Sequence, residues 1–96
     1  MKLKIDVLLV GTDGISPLPN SPTLKDVCIN SLIAPQQEDD EKKKFEKYEI
    51  YKKIRDVEEE VELKIEELAL IKRVIGKIQP TLIMGQCFEL IDACGK

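Results

Sequence analysis

Between Glu38 and Gln79 a densely charged stretch carries Phe45, Tyr48, Tyr51, Ile54, Val57, Val61, Ile65, Leu68, Ile71, Ile75 and Ile78 at intervals of three or four residues. Such spacing lines apolar side chains along a helical face, and that face has to be covered by another helix of the chain or by another chain. Two readings are available. In the first, Ile54, Val57, Val61, Leu68, Ile71, Ile75 and Ile78 take heptad a and d positions with Lys64 as the polar intruder, giving a helix of about 40 residues and a coiled-coil candidate. In the second, Val61-Glu62-Leu63-Lys64-Ile65 alternates as an extended connector, and a new helix starts near Ile65 with Glu66 and Glu67 in its first turn. Length favours the second, because a helix of that size spans roughly 60 Å at about 1.5 Å per residue. A chain of 96 residues cannot easily bury both sides of it. Phe45, Val61, Leu68, Ile71 and Ile75 are the candidate core or partner-contact residues, two roles that the pattern does not separate.

The remaining elements follow from local chemistry. Leu3, Ile5 and Val7 alternate with Lys2, Lys4 and Asp6 before the pattern closes into an apolar run, which predicts a strand with one buried face. Gly11-Thr12-Asp13-Gly14 is a hairpin-turn signal, and Pro17 and Pro19 keep the return arm at an edge. Asn20-Ser21-Pro22 reads as a loop. Thr23 with Asp26 three residues on makes a capping box for a helix whose apolar face holds Leu24, Val27, Cys28, Ser31 and Leu32. Ala34-Pro35 stops it, since a residue before proline avoids the helical region. Asp39, Asp40 and Glu41 suit the N-terminus of the next helix. Pro80 ends the third, and Thr81 to Cys94 forms a fourth with Leu82, Ile83, Cys87, Leu90, Ile91 and Cys94 as its stripe. Gly85 inside that helix marks a place where another backbone packs closely, and Gly95-Lys96 is its stop. The expected fold class is therefore α+β and mostly helical. It is one domain over residues 1–96, with an N-terminal β-hairpin (1–19) packed on a bundle of about four helices (23–34, 38–56, 65–79 and 81–94).

The chemistry is sparse. The chain has no histidine, which removes the commonest general base, metal ligand and nucleophile partner. Cys28, Cys87 and Cys94 are an odd set, unlike a secreted disulfide framework. Cys87 and Cys94 are too far apart for the close pairs of cysteine zinc sites. They read as small buried apolar residues, with a reactive Cys87 as the enzymatic alternative. Gly11 to Gly14 lacks the lysine-bearing phosphate-loop pattern, and the acidic clusters Glu38 to Glu41 and Glu58 to Glu62 lack calcium-loop spacing. No catalytic, cofactor or metal site is assigned.

Charged residues make up 34% of the chain and the net charge is −3, without the global basic footprint of a duplex binder. Lys42, Lys43, Lys44, Lys47, Lys52, Lys53 and Arg55 form the one basic cluster, a candidate basic surface interleaved with acids. Tyr48 and Tyr51 beside it read as core or partner contacts rather than base-stacking platforms. With few aromatics, the core is expected to be aliphatic. No secretory signal is evident, and the longest apolar runs fall far below the roughly 20 residues of a membrane span.

The segments Thr23-Leu-Lys-Asp-Val-Cys-Ile-Asn-Ser-Leu-Ile-Ala34 and Glu67-Leu-Ala-Leu-Ile-Lys-Arg-Val-Ile-Gly-Lys77, followed by Pro80 and Gly85-Gln86, resemble a group of small phage and prophage proteins of unassigned role. The likeness runs over residues 23–92. It implies a viral or mobile-element origin and carries no active site; Lys64 departs from it, standing where a capping Ser or Thr is expected. The functional expectation is a small non-enzymatic, phage-encoded protein that works by protein–protein interaction. It would serve in particle assembly or modulate a host factor, in the host cytoplasm or the virion, with a host or virion protein or a second copy as partner. The alternative is a nucleic-acid-binding regulator using the basic helix 42–55.

Overall fold

The computed structural model describes residues 1–19, 22–34, 36 and 40–94. In chain order the elements are β1 (Lys2–Lys4), α1 (Leu24–Ile33), α2 (Glu41–Arg55), β2 (Glu60–Glu62), α3 (Ile65–Ile78) and α4 (Thr81–Ala93). The fold is α+β and mostly helical, with an N-terminal extended layer packed on four helices. Several expectations fall outside the described residues: Asn20-Ser21 in the loop, Pro35 as a helix stop, Glu38 and Asp39 ahead of α2, and the Gly95-Lys96 terminus.

The stripe is broken between α2 and α3. The Asp56 N–H bonds back to the Lys52 carbonyl and the Val57 N–H to the Ile54 carbonyl, both at 3.3 Å, and Lys25 Nζ from α1 reaches the Arg55 and Val57 carbonyls at 3.3 and 2.6 Å. A cation on the last carbonyls of a helix satisfies acceptors that have no partner within it and complements its dipole. The segment that follows does more than connect. Glu60–Glu62 pairs antiparallel with Lys2–Lys4 in the register Lys2 with Glu62, Leu3 with Val61 and Lys4 with Glu60. Lysines face glutamates across the ladder, a favourable cross-strand arrangement, while Leu3, Val61 and Leu63 turn into the core. The Ile5 N–H to Glu59 carbonyl and Leu63 N–H to Met1 carbonyl bonds extend the pairing at both ends.

The N-terminal turn forms where the Asp-Gly signal places it. Val10 bridges Pro17, the Leu18 N–H bonds the Leu9 carbonyl at 3.2 Å, and the Gly11 N–H bonds the Ser16 carbonyl at 2.8 Å. Gly14 adopts φ of 74°, a conformation that favours glycine. The Asp13 carboxylate accepts from the Ile15 and Ser16 N–H groups at 3.0 and 2.9 Å. These bonds, that from Ile15 first, hold its carboxyl below the usual range.

Helix α1 buries Leu24, Val27, Cys28, Ser31 and Leu32, the face its spacing predicts. Its capping box is complete: the Asp26 N–H bonds Thr23 Oγ1, and the Thr23 N–H bonds Asp26 Oδ2 at 3.0 Å. At the start of α3 only the acidic half of such a box exists. The Lys64 N–H donates to Glu67 Oε1 at 2.9 Å, and a lysine head has no acceptor to return. α1 packs against both α2 and α3, α3 against α4, and α4 against β1. The core is aliphatic, with no Phe or Tyr among its buried residues. Two glutamine side chains also tie elements together. Gln79 Nε2 donates to the buried Ser31 Oγ at 3.0 Å, and the Gln86 amide clasps Val10, accepting from its N–H at 2.9 Å and donating to its carbonyl at 2.8 Å.

Two expectations need correction. Gly85 has nothing within 4 Å of an added Cβ, so no neighbouring backbone approaches it; the close contact is at Gly76, where such a Cβ would lie 3.3 Å from the Phe88 ring. In α2, the row Phe45, Tyr48, Tyr51 and Ile54 does not form one buried face; Lys47, Ile50 and Ile54 do. At about 100° per residue, steps of three drift around the helix, so Phe45 and Ile54 end about 180° apart.

The glycines give a direct check. Gly85→Ala should stabilise the protein by roughly 1 kcal/mol, the helix-propensity gain with no steric cost, whereas Gly76→Ala should gain less because Phe88 has to move. Ile71→Ala, which empties a fully buried site, should lose about 2–5 kcal/mol. Urea denaturation measures all three; a larger gain at Gly76 than at Gly85 would contradict this packing.

Candidate protein-interaction surface

With Ile50 and Ile54 turned inward, α2 presents its aromatic residues to solvent. Phe45 is 59% exposed and Tyr48 49%. The two rings lie 6.5 Å apart between centroids, and Tyr48 lies 6.0 Å from Tyr51, within the range of favourable aromatic contacts. Lys52 Nζ sits 5.2 Å from the Tyr48 centroid and the Arg55 guanidinium 5.5 Å from that of Tyr51. The result is a short ridge of three rings, stiffened by its own cations.

Of the five candidate contact residues, Val61, Leu68, Ile71 and Ile75 are core. They come from β2 and α3 and are out of reach of a partner. Phe45 alone remains available on the surface. Nothing in its local sequence sets it apart from the other members of the stripe; the signal lies in its angular distance from Ile54.

The basic cluster is not brought together as one surface. Lys47 is buried, with Nζ 3.3 Å from Gln36 Oε1. Lys52 pairs with Glu49 at 3.5 Å, Lys53 with Glu67 at 2.7 Å and Arg55 with Asp56 at 3.0 Å. The Arg55 hydrogen bond is the main cause of the lowered Asp56 pKa. Lys42, Lys43 and Lys44 are exposed, but consecutive helical residues point about 100° apart and cannot share a face.

Beside Phe45, where α2 and α3 both rest on α1, opens a groove of about 450 Å³ lined by Phe45, Glu46, Glu49, Ile50, Glu66, Glu67 and Leu70. Ile50 and Leu70 are its more buried apolar members, and Phe45, Glu46 and Glu66 are exposed, so the groove has an apolar floor and a rim of carboxylates beside the Phe45 ring. The Lys53–Glu67 ion pair joins α2 to α3 there. Burial pushes the Glu67 carboxyl up, but the Lys53 hydrogen bond and the Lys64 N–H outweigh it and the net shift is downward.

The cysteines are placed for packing. Cys28 and Cys87 are fully buried. Burial, with Cys87 nearby, pushes the Cys28 thiol up to about 12, and burial pushes Cys87 up to about 11. Those shifts run opposite to the activation a nucleophilic cysteine needs. Among the described residues no three His, Cys, Asp or Glu side chains are grouped to hold a metal ion, and no helix is long and apolar enough to cross a membrane.

Two outcomes follow. Iodoacetamide at pH 8 should modify Cys94, which is partly exposed, well before Cys28 and Cys87, and all three at free-thiol rates in urea; mass spectrometry of timed samples reads this, and fast folded-state labelling of Cys87 would contradict its burial. Replacing both Phe45 and Tyr48 with alanine should change stability by no more than about 0.5 kcal/mol for each site, the ordinary range for surface positions.

Compared with protein-family models, curated proteins and solved structures, the chain has no significant match.

Proposed function

We propose that this chain is a small protein-interaction module that docks through the outward face of α2. The observation that carries this reading is the pair of exposed, mutually contacting rings of Phe45 and Tyr48. They lie on a helix whose core contribution is already made by Ile50 and Ile54. Aromatic residues are enriched in interface cores and dominate binding energy where they are buried by a partner. Around them the helix is densely charged, which suits a rim that stays solvated when the centre is covered. The resemblance to small phage and prophage proteins supplies the setting: a non-enzymatic, phage-encoded protein acting in particle assembly or on a host factor, in the host cytoplasm or the virion. Its partner is a host or virion protein or a second copy.

A nucleic-acid regulator is the second reading. It is favoured by the Tyr48 and Tyr51 rings lying beside Lys52 and Arg55, a pairing that can stack bases and hold phosphates. The ion pairs on Lys52, Lys53 and Arg55 and the net charge of −3 weigh against it.

Affinity capture from the host, with the intact protein and its Phe45→Ala/Tyr48→Ala variant side by side, tests the first reading. A protein retained in stoichiometric amount by the intact chain should be lost by about 30-fold or more in the variant, the effect of removing a hot spot of about 2 kcal/mol, with both proteins melting alike. Equal retention would remove the α2 face from the account. Anisotropy with a labelled single-stranded oligonucleotide, at low and then high salt, tests the second: binding that falls steeply with salt would replace the protein-docking reading.

A further inference from the structure

The groove beside Phe45 carries a more specific assignment. We propose that it receives one face of a basic amphipathic helix. A large aliphatic side chain of that helix seats on Ile50, Leu70 and Phe45, and its Lys or Arg heads meet Glu46 and Glu66. This rests on the protein-docking reading above and names the chemistry of the partner.

Three features of the groove point there. The first is shape: α2 and α3 both lie on α1, and an opening of about 450 Å³ is left between them. Two helices side by side on a third form a channel that suits another helix, the helix-in-groove mode of recognition. The second is polarity. Apolar contacts come from Ile50, Leu70 and the exposed Phe45, and every other lining residue is a glutamate, so any anionic occupant meets like charge and a cationic one meets complementary potential. The third is which carboxylates are committed already. Glu67 is held by Lys53 and Glu49 by Lys52. Among the described residues Glu46 and Glu66, on opposite walls, carry no salt bridge that would have to be broken. A cationic helix can therefore engage both walls at once.

The test is fluorescence anisotropy of the full chain with a dye-labelled synthetic 18-residue peptide, leucine at i, i+3, i+4 and i+7 and Lys or Arg elsewhere. A scrambled peptide of the same composition and a charge-inverted Glu version are run beside it. The basic amphipathic peptide should bind and the other two should bind at least about tenfold more weakly. In the NMR spectrum its addition should shift the amides of Glu46, Ile50 and Leu70. Glu46→Lys/Glu66→Lys should weaken binding by about tenfold or more, while Glu58→Lys/Glu59→Lys, the same change of charge on the exposed connector, should leave it within twofold. Glu66→Gln, a milder change, should give a smaller loss in the same direction should the double reversal disturb folding. Equal weakening by both charge reversals, equal binding of the scrambled peptide or no binding at all would overturn the assignment. So would a dimer by light scattering that Glu46→Lys/Glu66→Lys dissociates, since the occupant would then be a second copy. Failure here, with partner capture still lost in the Phe45→Ala/Tyr48→Ala variant, leaves the docking reading standing and moves the contact to the Tyr48 side of α2.

Discussion

The short pairing of Lys2–Lys4 with Glu60–Glu62 is the constraint around which the molecule is arranged. It joins segments far apart in the chain, and the N-terminal strand is bonded on both sides. The Ile5 N–H goes to the Glu59 carbonyl, while the Ile5 and Val7 carbonyls accept from the Lys25 and Leu24 N–H groups that open α1. One extended segment therefore sets both the start of α1 and the turn between α2 and α3. Lys25 ties the arrangement closed by reaching the carbonyls at the end of α2. A two-stranded ribbon is marginal alone, and here it is stable because Leu3, Ile5, Val61 and Leu63 all enter the helical core.

That constraint also decides what α2 can offer. Had the chain continued as one helix, Ile54, Val61, Leu68 and Ile75 would have formed a long seam requiring a second chain. Divided at Asp56, α2 and α3 each turn their own apolar residues onto α1, and the seam becomes a core. The surplus lies on the other side of α2, where Phe45 and Tyr48 stand in water beside a groove with a glutamate rim. Both rings lie outside the face that α2 buries through Lys47, Ile50 and Ile54. The same core surrounds Cys28 and Cys87, and burial there disfavours their thiolates.

Local signals in the sequence were reliable where the physics is local. The Thr23–Asp26 box, the inward face of α1, the turn at Gly11–Gly14 and the proline between α3 and α4 depend on residues a few positions apart, and each appears where its chemistry places it. The break after Arg55 was legible from the alternation of Val61 to Ile65 and from chain length. The partner of the first strand was not, because an antiparallel ladder between residues so far apart leaves no mark in either segment beyond matching charge. The buried face of α2 is hidden in the sequence because steps of three look periodic over one turn and drift over three; Lys47, Ile50 and Ile54 keep the true period, and a lysine among them masks it. Gly76 and Gly85 give the same signal in the sequence, and the close contact falls at Gly76 because of where Phe88 lies. The groove is not legible in the sequence, since its lining is drawn from two helices that only tertiary packing, their shared contact with α1 and the Lys53–Glu67 pair, brings together.

Residues 56–64 leave the helix, and Glu59 to Leu63 among them pair with the N-terminal segment, separating α2 from α3. Nuclear Overhauser contacts test this directly. Bonds from Leu63 to Met1 and from Ile5 to Glu59 make Lys2–Glu62 and Lys4–Glu60 the pairs without hydrogen bonds, whose Cα atoms approach most closely in an antiparallel ladder. Hα–Hα contacts are expected for both pairs, with no helical i,i+3 contacts between Asp56 and Lys64. An unbroken run of i,i+3 contacts from Glu41 to Ile78, with neither cross-strand pair present, would contradict this arrangement.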